Sequence, residues 1–99
     1  MSYATISNWT ATEWTDEIVA LANDKFIPMI ISAGASSVQI VRTGDLTFCV
    51  VTQYENETAA TAAQAKIAVI RAKAASDLPM QMESAHAGAV IAGSQRPSW

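Results

Sequence analysis

The stretch "LTFCVVTQY", residues 46–54, reads as a β-strand that is apolar on both faces. Alternation sends Leu46, Phe48 and Val50 to one side of a sheet, and Cys49 and Val51 to the other. A strand with one wet face normally alternates apolar with polar residues, so both sides of this ribbon need cover. Upstream, "SSVQIVR" from Ser36 to Arg42 is a second strand, and Thr43-Gly44-Asp45 is the turn that makes the two a hairpin. A two-residue loop pairs Val41 with Phe48, and a three-residue loop pairs Ile40 with Phe48.

Each arm of the hairpin is flanked by a helix and then a strand. Tyr3 to Trp9 alternates and ends at a polar cluster, which predicts the first strand. Thr10 and Glu13 have capping-box spacing, with Thr12 as the competing cap, and Trp14, Ile18, Leu21, Ala22 and Lys25 follow at helical intervals. Pro28 either kinks this helix or opens a second short helical segment. Gly34 is placed to take positive φ and release the chain. After the hairpin, Asn56 or Thr58 caps a helix whose stripe is Ala60, Ala63, Ile67, Ile70 and Ala74. It ends near Asp77, ahead of Pro79. A last strand runs from about Met80 to His86, with Gly88 as a bulge or bend and Ala89–Ala92 as an extension. The order βαββαβ predicts an α+β, ferredoxin-like domain: a four-stranded antiparallel sheet with both helices on one face. One domain spans 1–99, with its core at about 3–92 and a tail at 93–99.

Composition narrows the function classes. The chain is 51% hydrophobic and 15% charged, against roughly 25% charged in an average globular protein, so little polar material is available to coat an isolated small domain. A net charge of −3 and six scattered Lys and Arg residues give no basic footprint for nucleic acid. An RNA-recognition module shares the element order but needs basic and aromatic residues on its open sheet, where residues 46–54 offer one Phe and no Lys or Arg. No segment has the 18 or so apolar residues of a membrane span, and "MSYATISNW" lacks the charged and apolar regions of a signal peptide. A single cysteine, Cys49, in an apolar strand fits a reducing compartment, so a cytoplasmic location is expected.

With helices on one side only, the other face of the sheet stays bare. Four strands about 4.8 Å apart and roughly 17–20 Å long present on the order of 350 Å² in projection. Soluble monomers seldom expose such an apolar patch, and an isologous two-fold contact removes it. The expected partner is a second copy of the chain, joined through the open face.

The layout resembles the dimeric α/β-barrel superfamily, which includes the antibiotic-biosynthesis-monooxygenase-like proteins. The resemblance is carried by Asn8-Trp9, by Phe26-Ile27-Pro28 with Ser32-Ala33-Gly34-Ala35, and by the hairpin Val41–Asp45, and it covers roughly residues 3–92. It implies an α/β barrel formed by two copies and a ligand pocket between sheet and helices. It further implies a small-molecule protein, with a cofactor-independent monooxygenase acting on an apolar or aromatic oxygenated compound among the activities. A non-catalytic structural or stress-related homodimer, or a carrier of a fatty-acid-like ligand, fits the same layout. The superfamily's haem degraders use a His on the second helix and a Trp. Thr58 to Asp77 contains no His and no aromatic residue, so that activity is not expected.

Within that frame the chemistry-bearing candidates are few. Asn8 shares the side of Ala4 and Ile6, the side assigned to the helix layer, where it faces an apolar cavity; the alternative is an exposed strand-end Asn. Tyr54 ends the third strand with its hydroxyl at the pocket mouth, or is simply a buried Tyr with a backbone partner. His86, the only histidine, falls on the face of Met80, Met82 and Ser84 as an acid or base, or as an ordinary exposed residue. Ile6, Trp14, Phe26, Met29, Ile30, Ile67, Ile70, Met80 and Met82 are candidates to line the pocket, beneath a helix whose alanines leave room or pack tightly. Arg42 and Glu83 form a possible pair at the sheet edge. No metal-ligand spacing, phosphate loop or resident cofactor is indicated.

Overall fold

The computed structural model describes residues 2–92, so the expected tail at 93–99 lies outside the described residues. Four strands form one antiparallel sheet in the order β2-β3-β1-β4: β1 (Tyr3–Ala11), β2 (Ser37–Arg42), β3 (Thr47–Tyr54) and β4 (Met80–Ala89). All helices pack on one face, giving the ferredoxin-like βαββαβ architecture. The first helical arm is α1 (Asp16–Leu21), a π turn (Ala22–Phe26) and α2 (Ile27–Ser32), and the second is α3 (Glu57–Asp77).

Pro28 explains the composite first arm. Proline donates no N–H and its ring collides with the carbonyl four residues back, which an unbroken α-helix does not accommodate. Here the turn before it widens: the Ile27 N–H donates to Ala22 O, five residues back, and Pro28 lies in the first turn of α2. Of the two expected outcomes the second holds: Pro28 opens a short helical segment, α2, which a π turn joins to α1. Gly34 then leaves the helix at φ 122°, a conformation that L side chains rarely adopt.

Two boundaries differ from the sequence reading for a shared reason. β1 runs on to Ala11, because its backbone stays paired on both sides: the Ala11 N–H donates to Leu46 O (2.7 Å) and the Thr12 N–H to Pro79 O (2.9 Å). Thr10 and Thr12 are therefore not helix caps, and Thr15 takes that role by accepting from the Ile18 N–H. The β2–β3 register pairs Arg42 with Phe48, Val41 with Cys49 and Ile40 with Val50, which neither predicted loop gives. Leu46 belongs to the loop, closed by the Thr43 and Gly44 N–H groups donating to Thr47 O.

Strand phase decides the faces. Ser7, Trp9 and Ala11 are buried on the helix side with Phe48, Thr52 and Tyr54, whereas Ile6 and Asn8 are exposed on the open side. This reverses the expected orientation of β1. Ala4 and Ile6 made that face look more apolar, but a tryptophan buries about 150–250 Å², and Trp9 on the alternate phase outweighs both. The Trp9 indole N–H donates to Ser7 Oγ at 2.8 Å, two residues back on the same face, so its burial leaves no orphaned donor.

In β4 a bulge intervenes. Ser84 pairs with Asn8 and Met82 with Trp9, leaving Glu83 unmatched. Ser84 and His86 are thereby thrown onto the opposite phase from Met80 and Met82, and His86 pairs with Ile6 on the open side. Gly88 continues the ladder opposite Ala4, so the irregularity falls at Glu83 and not at Gly88. Because β2 and β4 occupy opposite edges, Arg42 and Glu83 do not meet; Glu83 accepts from Thr10 Oγ1 at 2.8 Å.

α3 follows its sequence closely. Asn56 is the cap, accepting from the Ala59 N–H at 2.8 Å, and the buried stripe is Ala60, Ala63, Ile67, Ile70 and Ala74. Leu78 ends it in an extended conformation ahead of Pro79.

Candidate functional site

A cavity of about 230 Å³ lies between the sheet and the helical arms. Trp9, Phe48 and Val50 form its floor on the sheet, Trp14 comes from the β1–α1 connection, and Phe26 and Ile30 come from the first arm. Ile67, Ile70 and Ala74 supply the α3 wall. Aromatic contacts fix the floor: Trp9 stacks on Phe48 with centroids 5.9 Å apart, and Trp14 tilts against Phe48 at 5.6 Å.

The polar groups around this space are few. Ser7 and Thr52 are buried on the sheet, and because Ser7 Oγ accepts from the indole, its own proton remains to donate. Arg42 sits over the Trp14 ring, with Cζ 4.8 Å from the centroid, and donates to Gly44 O and Asp45 O. It thereby ties the β2–β3 loop to the wall of the cavity, with two of its N–H donors engaged and its face on the indole. Arg71 also borders the space, and among the described residues it has no ion-pair or side-chain hydrogen-bond partner.

A second pocket, also about 230 Å³, lies toward the other end of the same sheet face and shares Ile67 and Arg71 with the first. Its border carries Tyr3, Thr5, Tyr54, Thr61 and Gln64, a more polar set. Tyr54 is 2% exposed, and burial pushes its phenol above the ordinary value near 10 while the Arg71 guanidinium pulls it back in part.

The predicted residues separate accordingly. Trp14, Phe26, Ile30, Ile67, Ile70 and Met80 border the main cavity. Met29 packs against the core without reaching the cavity. Ile6 is 41% exposed on the open face, and Met82, paired with Trp9 at the sheet edge, is 37% exposed and borders neither space. Asn8 does not face the cavity: its Nδ2 donates to Ser84 Oγ at 3.1 Å on the open side. Tyr54 and His86 border the second pocket and not the first, and since His86 pairs with Ile6, its side chain takes the other phase. The three polar candidates thus do not converge on one point.

Sequence reasoning missed Ser7, Arg42, Thr52 and Arg71. The phase of Trp9 carried the signal for Ser7, whereas the arginines' positions depend on the fold. Among the described residues no three His, Cys, Asp or Glu side chains cluster to hold a metal, and no helix is long and apolar enough to cross a membrane.

No protein-family model and no curated protein matches the sequence. Solved structures match over nearly the whole chain. A protein of unknown function from Nitrosomonas europaea is 17% identical with a TM-score of 0.67, over 98% of this chain and 96% of that one. A dimeric ferredoxin-like protein from an uncultured marine organism is 11% identical with a TM-score of 0.66, over 97% and 100%. The ActVA-Orf6 monooxygenase of Streptomyces coelicolor, solved with nanaomycin D, is 22% identical with a TM-score of 0.65, over 98% and 93%. The chain shares the fold of dimeric ferredoxin-like proteins and of monooxygenases of the antibiotic-biosynthesis type.

Proposed function

We propose that the chain binds a small, largely apolar, oxygenated aromatic molecule in the cavity between sheet and helices, and that it does so as a homodimer paired through the open sheet face. Monooxygenase-type chemistry on that molecule, without a resident cofactor, is the activity this reading favours. The observation that carries it is the cavity itself. An aromatic floor of Trp9 and Phe48 lies beneath an alanine-rich helix, with polar side chains limited to Ser7, Thr52, Asn23 and two arginines. Such a site orients a flat apolar body through a small number of hydrogen bonds. Its monooxygenase neighbour, solved with nanaomycin D, supports the class of ligand.

The test is a thermal-stability screen against a broad panel of planar aromatic phenols, quinones and acids. A true ligand at 100 times its Kd raises stability by about 2.7 kcal/mol, and Ile30→Trp, which fills the space, abolishes the rise. If no compound in the panel raises Tm, the binding reading is wrong. Turnover is read separately, as oxygen consumption with whichever compounds bind.

A further inference from the structure

Resting on that reading, we infer that the two pockets are halves of one bipartite site. An aromatic acid lies with its ring system over Trp9 and Phe48 and its ionised oxygen at the junction, held by Arg71. Three observations lead there. The pockets lie on the same face of the sheet and share two bordering residues, Ile67 and Arg71. Each space alone is about 230 Å³, short of the roughly 300–1,000 Å³ of ordinary ligand sites, whereas the two joined fall within it.

Their linings are also unlike. The first is aromatic and aliphatic, and the second brings Tyr54, Thr61 and Gln64, so an occupant of both is apolar at one end and polar at the other. Arg71 is the cation at the boundary. Arg42 is engaged with two backbone carbonyls and an indole ring, and Lys25 pairs with Asp77 at 3.7 Å, while Arg71 has no such partner among the described residues. A half-buried guanidinium with its fork free is suited to a carboxylate or phenolate, which it can engage with two parallel hydrogen bonds. Tyr54 borders the second pocket together with Arg71, so the hydroxyl can add a second donor to the same anion.

The experiment compares 2-naphthoate with its neutral analogue 2-naphthalenemethanol, by calorimetric titration of the whole chain and of Arg71→Gln and Arg71→Lys. The expected result is that 2-naphthoate binds wild type more tightly than the alcohol does. Arg71→Gln should weaken the acid by about tenfold or more, Arg71→Lys should weaken it less, and the alcohol should be nearly unaffected. The melting transition of each variant verifies folding, and Arg71→Lys carries the comparison should the Gln variant not fold. If both probes bind and the Arg71 variants hold 2-naphthoate as well as wild type does, the anchor is overturned and the cavity reading stands. Binding of the alcohol without the acid has the same meaning. If neither probe binds, the anchor is overturned, and the cavity reading is decided by the broader thermal-stability panel.

Discussion

Tyr54 shows how one side chain can couple the sheet end to the pH scale. Its phenol is buried beside Arg71, and burial, the larger effect, raises its pKa above the ordinary value near 10. The folded state therefore holds this proton more tightly than the unfolded chain does. The stability gained is fully present below pH about 10 and is lost as pH rises through the folded pKa. Denaturant midpoints measured from pH 8 to 12 should fall above pH about 10, and Tyr54→Phe, which has nothing to ionise, should flatten that part of the fall. An equal fall in the variant would assign the alkaline loss to other groups. Asn8 teaches the converse at the same scale. As a polar residue beside an apolar strand it looked like a cavity group, yet the burial of Trp9 set the phase and turned Asn8 outward. A single large side chain outvoted the count of small ones.

At the scale of elements, legibility followed periodicity. Every member of the α3 stripe is buried as its spacing implied, because a 21-residue helix samples its period many times over. Ala63 is the tightest of these at 1% exposed. Ala63→Leu adds volume where α3 presses on the sheet and should destabilise the fold by about 1–3 kcal/mol. Chemical denaturation measures this. A neutral or stabilising result would show instead that the cavity extends under Ala63. Strands sample a period of two over fewer residues, so one irregularity rewrites everything beyond it. The Glu83 bulge moved His86 to the other face, and the residence of Leu46 in the loop displaced the β2–β3 register from both predicted alternatives. No local sequence feature marks the bulge, since Glu83 is unmatched only in relation to Asn8 and Trp9 on another strand. The π turn was half legible: Pro28 announced an interruption, but widening the turn is one of several ways to accommodate it.

For the whole molecule, the open face is where covering is still needed. β2, β3 and β1 place Val41, Cys49, Val51 and Ile6 on one surface, with Val41 45% and Ile6 41% exposed. Polar residues stand among them: Asn8 lies between Cys49 and Ser84, and Gln39 and His86 flank the Val51–Ile6 pair. A non-obligate protein–protein contact is likewise mixed, about as apolar as the rest of a protein surface. The projected face, on the order of 350 Å², is smaller than the roughly 800 Å² that a stable interface buries per partner. A dimer formed here must therefore recruit neighbouring surface, and its affinity should be sensitive to any charge placed at the centre. Light scattering on wild type at micromolar concentration should give twice the 10.5 kDa chain mass, and Val51→Glu should return it to the single-chain value. Because Val51 points away from the cavity, which is lined by Val50 of the same strand, the variant should keep its helix-side packing. If it binds aromatic probes as wild type does, each copy carries a complete site. Should binding vanish with the dimer, the second copy is required to hold the sheet in its binding shape. A wild-type chain that runs as a monomer leaves the face bare and removes the homodimer from the proposal.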